Sequence, residues 1–100
     1  MIKDNGNITR WLWNTDDAYG KGTFTEGETY SVRIESTTER ATSAQGETFV
    51  AEKLIFVKFN GFNEADEVSI EGERYEIIKL DPIWGSKAFS HTEILVRKKR

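Results

Sequence analysis

The apolar positions of the chain alternate over short runs, and glycines or polar stretches separate the runs. Tyr30, Val32 and Ile34 alternate with Ser31, Arg33 and Glu35, which puts the apolar three on one face of a strand. Phe49 to Phe59 is longer and mostly apolar, and its section Leu54 to Val57 is continuous enough to be buried on both faces. Val68 and Ile70 alternate with Glu67, Ser69 and Glu71, Gly72-Glu73 interrupts, and Tyr75, Ile77 and Ile78 resume, a pattern that predicts a tight β-hairpin. Ile94, Leu95 and Val96 form a last strand, and Ile8 to Trp13 reads as an early edge strand. No window sustains an i, i+3, i+4 apolar stripe. Residues 47–56 have some helical character, but Ile55 to Phe59 carries strong strand propensity, so strand is expected there too.

Two stretches lack an apolar pattern. Asn14 to Glu28 holds Gly20, Gly22 and Gly27 among aspartates and threonines and predicts a loop or ragged hairpin. Residues 36–47 contain no large apolar side chain, so burial cannot offset the entropy of ordering them. The expected architecture is all-β: one domain over residues 1–100, a small antiparallel barrel or sandwich of five to seven strands with a long polar inter-strand loop.

Composition narrows the chemistry. The 100 residues include 12% aromatics, which supply large buried areas, but no cysteine and one histidine, His91. Disulfide frameworks, thiolate metal sites and cysteine nucleophiles are therefore excluded. No apolar run is long enough for a membrane helix, and the start Met1 to Asn7 is polar where a secretory signal would be apolar, so the cytoplasm is the expected compartment. Of 14 lysines and arginines, four close the chain (Arg97, Lys98, Lys99, Arg100), which leaves ten against 17 acidic residues in the rest. An acidic body disfavours tight duplex binding, whereas the basic tip suits phosphate or an acidic protein patch, or is simply a solvated end.

Catalytic constellations are not found, and no enzyme activity or cofactor is expected. Ser90 should point to the strand face opposite His91, which leaves a serine nucleophile without its base. His91 and Glu93 share a face at i, i+2 but lack a third metal ligand. Asp16-Asp17 and Glu64-Asp66-Glu67 lack the spacing of a calcium loop and read as solvated turns, and Gly20-Lys21-Gly22-Thr23 lacks the flanking strand and helix of a phosphate loop. Trp11, Trp13, Tyr19 and Trp84 invite a stacking platform, but Arg10 is the only cation near the first two. Trp11 and Trp13 are better read as core or subunit-interface residues.

The segment Asp66 to Ile78 has the form Asp-x-Val-x-Ile-x-Gly-x-x-Tyr-x-Ile and is followed by Ser90-His91-Thr92-Glu93-Ile94-Leu95-Val96. Read together, residues 30–97 resemble the head-closure proteins of tailed bacteriophages, also called head-tail connector or stopper proteins. Ala65 stands where that family commonly has a glycine, and residues 1–29 match no pattern of it. The resemblance implies a structural virion protein, made in the bacterial host cytoplasm, that forms a homo-oligomeric ring under the phage portal, closes the DNA-filled head and docks the tail. Its partners would be the portal or adaptor ring and the tail-completion protein, with packaged DNA faced but not read, and no membrane. The polar loop Thr37-Thr38-Glu39-Arg40-Ala41-Thr42-Ser43-Ala44-Gln45-Gly46 maps onto the family's channel-gating loop, expected to be mobile in the monomer and ordered in the ring. Arg97, Lys98, Lys99 and Arg100 with Trp11 and Trp13 are the expected docking residues, and loss of the basic tip is expected to leave the fold intact. A small β-barrel that binds a peptide or protein is the alternative.

Overall fold

A computed structural model describes residues 3–15, 22–42 and 46–99. The fold is all-β: six strands close an antiparallel barrel in the order β1-β2-β5-β8-β7-β6, and β3 and β4 form a separate two-stranded sheet. The strands are β1 (Gly6–Asn14), β2 (Thr23–Ser36), β3 (Arg40–Thr42), β4 (Thr48–Val50), β5 (Lys53–Val57), β6 (Glu67–Ile70), β7 (Glu73–Trp84) and β8 (Phe89–Lys98).

Alternation selects the barrel interior. Ile8, Val32, Ile55, Val57, Val68, Ile77, Ile94 and Val96 pack into one buried cluster, with Tyr75 at its edge and Tyr30, Ile34, Phe59 and Phe62 against it. The β-branched residues that dominate this list suit the pleated inner wall of a small barrel. Closure comes from β1, which pairs β2 on one side and β6 on the other (Thr9↔Ser69, Arg10↔Val68, Trp11↔Glu67). Asn5 extends the β1–β2 seam: its amide nitrogen donates to the Ile34 carbonyl at 2.9 Å while its oxygen accepts from the Ile34 N–H at 2.7 Å.

A second, smaller core lies outside the barrel. Ala41, Ala51, Ile78 and Leu95 are buried together, with Phe49 and Leu54 alongside. The register of β7 against β8 slips between Ile77 and Lys79, so Ile78 is an extra, bulged residue. A bulge re-aims side chains, and here it lets the neighbours Ile77 and Ile78 serve different cores. The β3–β4 sheet covers the outer one.

Several expectations change in detail. Residues 23–28 of the predicted loop belong to β2 and pair with β1, so this stretch is a hairpin with a register shift between Thr9 and Trp11. The run Phe49 to Phe59 divides at Ala51-Glu52, where the Ala51 N–H donates to the Glu39 carbonyl at 2.8 Å and the Glu52 N–H to the Val96 carbonyl at 2.8 Å. The chain steps there from the outer sheet to the barrel wall. The β6–β7 turn sits at Glu71-Gly72, not Gly72-Glu73: Ile70 pairs with Glu73, and both turn residues have positive φ, 51° and 82°. Positive φ at both central positions is the hairpin geometry whose twist matches its strands.

Candidate docking surface

Trp11 and Trp13 lie next to groups that sequence spacing does not bring to them. The Trp11 indole N–H donates to Ser69 Oγ at 3.2 Å, and the Arg74 guanidinium lies 3.8 Å from the centre of the Trp11 ring. Arg74 also reaches to 5.4 Å from the Phe24 ring, with Lys99 Nζ at 4.9 Å from the same ring. Phe24 in turn packs on Trp13 with ring centres 5.0 Å apart. The Glu67 carboxylate holds both cations, Arg74 at 3.1 Å and Lys99 at 2.9 Å. Two tryptophans, a phenylalanine and two cations thus form one continuous outer patch on β1, β2, β7 and the end of β8. Trp13 is 39% exposed on it. The cations missing from the neighbourhood of these tryptophans in sequence arrive from residues 74 and 99.

The basic tip is not a solvated tail. Arg97 lies in β8, pairs with Glu76, and places its guanidinium 4.0 Å from the centre of the Phe49 ring. Lys98 pairs with Glu73 at 3.3 Å, and its backbone N–H donates to the Glu52 carboxylate. Of the expected docking residues, Trp11, Trp13 and Lys99 come together, whereas Arg97 and Lys98 bind the barrel elsewhere. Arg100 lies outside the described residues.

The expected gating segment is partly ordinary structure. Arg40–Thr42 is β3, paired with β4 through Arg40↔Val50, Ala41↔Phe49 and Thr42↔Thr48, and Ala41 is buried. Thr37 Oγ1 accepts from the Glu39 N–H at 3.1 Å, and the Thr37 N–H donates to the Glu52 carbonyl at 3.1 Å. Small size, read in the sequence as inability to order, is what lets Ala41 fit against Ile78 and Leu95. Thr38 and Gly46 are exposed, and Ser43, Ala44 and Gln45 lie outside the described residues, as do Asp16, Asp17 and Tyr19.

Two other clusters depart from expectation. Asp66 and Glu67, read as part of a solvated turn, are 2% and 5% exposed. Asp66 accepts from Arg10 Nε at 2.9 Å, from the Trp13 N–H at 3.1 Å and from the Asn63 N–H at 3.0 Å. Arg10 accordingly turns toward Asp66 rather than toward the tryptophans. Ser90 and His91 do meet: Ser90 Oγ lies 2.9 Å from His91 Nδ1, and His91 Nε2 lies 2.9 Å from Glu93 Oε2. The β7–β8 register slips between Ile83/His91 and Trp84/Phe89, so Ser90 is bulged and the alternation that would have separated the two side chains fails there. Among the described residues no group of three or more His, Asp or Glu side chains is placed to hold a metal ion. Trp84, the most exposed large apolar side chain among the described residues, sits on the outer arm of β7–β8 with Phe89 edge-on at 5.4 Å.

Sequence reasoning missed Phe24 and Arg74. Phe24 was legible in principle, since it pairs with Trp13 once the β1–β2 hairpin is extended. Arg74 was not, because its approach to Trp11 depends on barrel closure. No protein-family model and no curated protein sequence matches the chain.

Proposed function

We propose that this chain is a ring-forming structural subunit of the head-tail junction of a tailed bacteriophage, closing the filled head beneath the portal and offering a docking surface to the tail. The observation that carries the reading is the β3–β4 hairpin. It is inserted between two barrel strands, β2 and β5, over the stretch that the family resemblance assigns to the channel loop. In a closed barrel every strand has a neighbour on each side, whereas the separate β3–β4 sheet pairs with no other strand among the described residues. Its edges are therefore the natural place for backbone pairing between adjacent subunits. Weak contacts of that kind accumulate around a ring.

The wall such a ring would present to DNA is non-adhesive. Residues 36–47 carry only Glu39, Arg40 and Glu47 as charges, so DNA would slide past without being held by phosphate contacts. The patch of Trp11, Trp13, Phe24 and Lys99 is the docking face, an aromatic and cationic composition favoured at interface hot spots. No chemistry is assigned to the Ser90-His91-Glu93 chain, which serves to hold the bulge.

Electron microscopy of the purified protein mixed with portal rings tests the reading. An added ring of density on the portal's tail-facing rim is expected, with the protein alone sedimenting as a monomer. Unchanged portal rings at saturating protein would overturn it.

A further inference from the structure

The end of the barrel that carries the β6–β7 turn is open, and the Glu71 carboxylate and Tyr75 hydroxyl there have no hydrogen-bond or ion-pair partner among the described residues. The opening forms a cavity of about 370 Å³ lined by Tyr75, Lys53, Glu71, Glu73 and Asn7 over the apolar side chains of Ile34 and Ile70. Tyr75 is only 8% exposed, yet its hydroxyl makes no hydrogen bond to any described residue. Burial first, and then the Glu73 carboxylate, push the phenol above its ordinary value, so it stays protonated and has a hydrogen to donate. The ring is buried while the hydroxyl opens on the cavity, where a ligand atom can accept its hydrogen.

The charges around the cavity are arranged in a definite way. Lys53 opens β5 and Glu71 follows β6, and these two strands stand opposite each other in the six-strand ring. The Lys53 ammonium has only the Ser36 hydroxyl, at 3.4 Å, and no carboxylate among the described residues. The Glu71 carboxylate has no cation among them, whereas Glu73 is paired with Lys98 at 3.3 Å. Opposite charges on opposite walls, unpaired with each other, match a ligand that carries both signs.

We propose that the open end of the barrel binds a small zwitterion of about dipeptide size, its carboxylate on Lys53, its ammonium on Glu71 and a central carbonyl accepting from the Tyr75 hydroxyl. The volume is within the range of small-ligand sites. The apolar floor of Ile34 and Ile70 accommodates short aliphatic side chains. This site lies at the other end of β1 from Trp13 and is independent of the ring assembly.

An NMR titration of the full chain tests it, with L-alanyl-L-alanine as probe beside its N-acetyl and its C-terminal amide forms. Saturable shifts are expected at the amides of Asn5–Asn7, Lys53 and Glu71–Tyr75, with Kd on the order of 1 mM for so small a ligand. Blocking either charged end should weaken binding by about fivefold to tenfold. Tyr75→Phe should weaken the free dipeptide about threefold or more without lowering the melting temperature, since the hydroxyl it removes has no protein partner. Lys53→Met should abolish the preference for the free dipeptide over its amide. Shifts that do not saturate, equal binding of a blocked form, or unchanged binding by both variants would each overturn the proposal.

Discussion

Asp66 is the residue on which the top of the barrel depends. Its carboxylate, almost wholly buried, satisfies Arg10 and the backbone N–H groups of Trp13 and Asn63 at once. Arg10 also donates to the Gly61 carbonyl at 2.7 Å and lies within 5.8 Å of the Phe59 and Phe62 ring centres, so one ion pair fixes the 59–66 loop to β1. Asp66→Ala strands a guanidinium that is 11% exposed and should cost about 3 kcal/mol or more. Urea unfolding of the variant against the parent measures that loss. Tyr75 contributes to the alkaline limb of stability. Its folded pKa is raised above the ordinary 10.0, so the unfolded chain loses this proton first. The contribution is complete below pH 10 and is lost as pH rises from 10 through the folded value. Urea midpoints at pH 9 and pH 11 should therefore fall less in Tyr75→Phe than in the parent, and equal falls would show that Tyr75 does not contribute.

At the scale of elements, the Glu71-Gly72 turn carries a correctable strain. Glu71 occupies the left-handed region at φ 51°, where asparagine is more at ease than glutamate. Glu71→Asn should stabilise the hairpin by about 0.5 kcal/mol or more and raise the melting temperature by a few degrees, read by calorimetry. This hairpin was legible because Val68, Ile70 and Tyr75 alternate and Gly72 marks the turn. β3 was not. Ala41 has too little apolar surface to signal a strand, and the cluster it completes, Ile78 and Leu95, faces out of the barrel through a bulge that a strict two-residue period hides. The burial of Asp66 and Glu67 was likewise illegible, since their partners Arg10, Arg74 and Lys99 come from β1, from β7 and from the residue after β8. Where alternation held, as at Tyr30–Ile34, the element and its buried face were both readable. Where a bulge broke it, as at Ser90-His91, the side-chain pairing was misread.

For the whole molecule, the C-terminal residues act as part of the barrel and not as an appendage. Lys98 pairs with Tyr75 in the β7–β8 register, the Lys99 N–H donates to the Arg74 carbonyl at 3.0 Å, and the Arg97, Lys98 and Lys99 side chains neutralise Glu76, Glu73 and the buried Glu67. Ending the chain at Val96 should therefore destabilise the fold by roughly 2 kcal/mol or more, where a free tail would cost nothing. Denaturant titration of the truncated chain at neutral pH checks this. The barrel's closing seam has a consequence of another kind, for the order of events in folding. The β6–β7–β8 meander joins segments that follow one another at short intervals, but β5 pairs with β8 only across β6 and β7, and β1 meets β6 across a wide separation, with Arg10 and Asp66 lying 56 residues apart. Bringing such distant segments together costs loop entropy before any contact repays it, which puts this topology among the slow folders, in milliseconds to seconds. A chain emerging from the ribosome cannot seal the barrel until β6 is out, and β5 and β7 stay without the strand between them until β8 follows. The nascent protein therefore passes through a stage with open barrel-strand edges, which chaperones would meet and the closed barrel no longer shows.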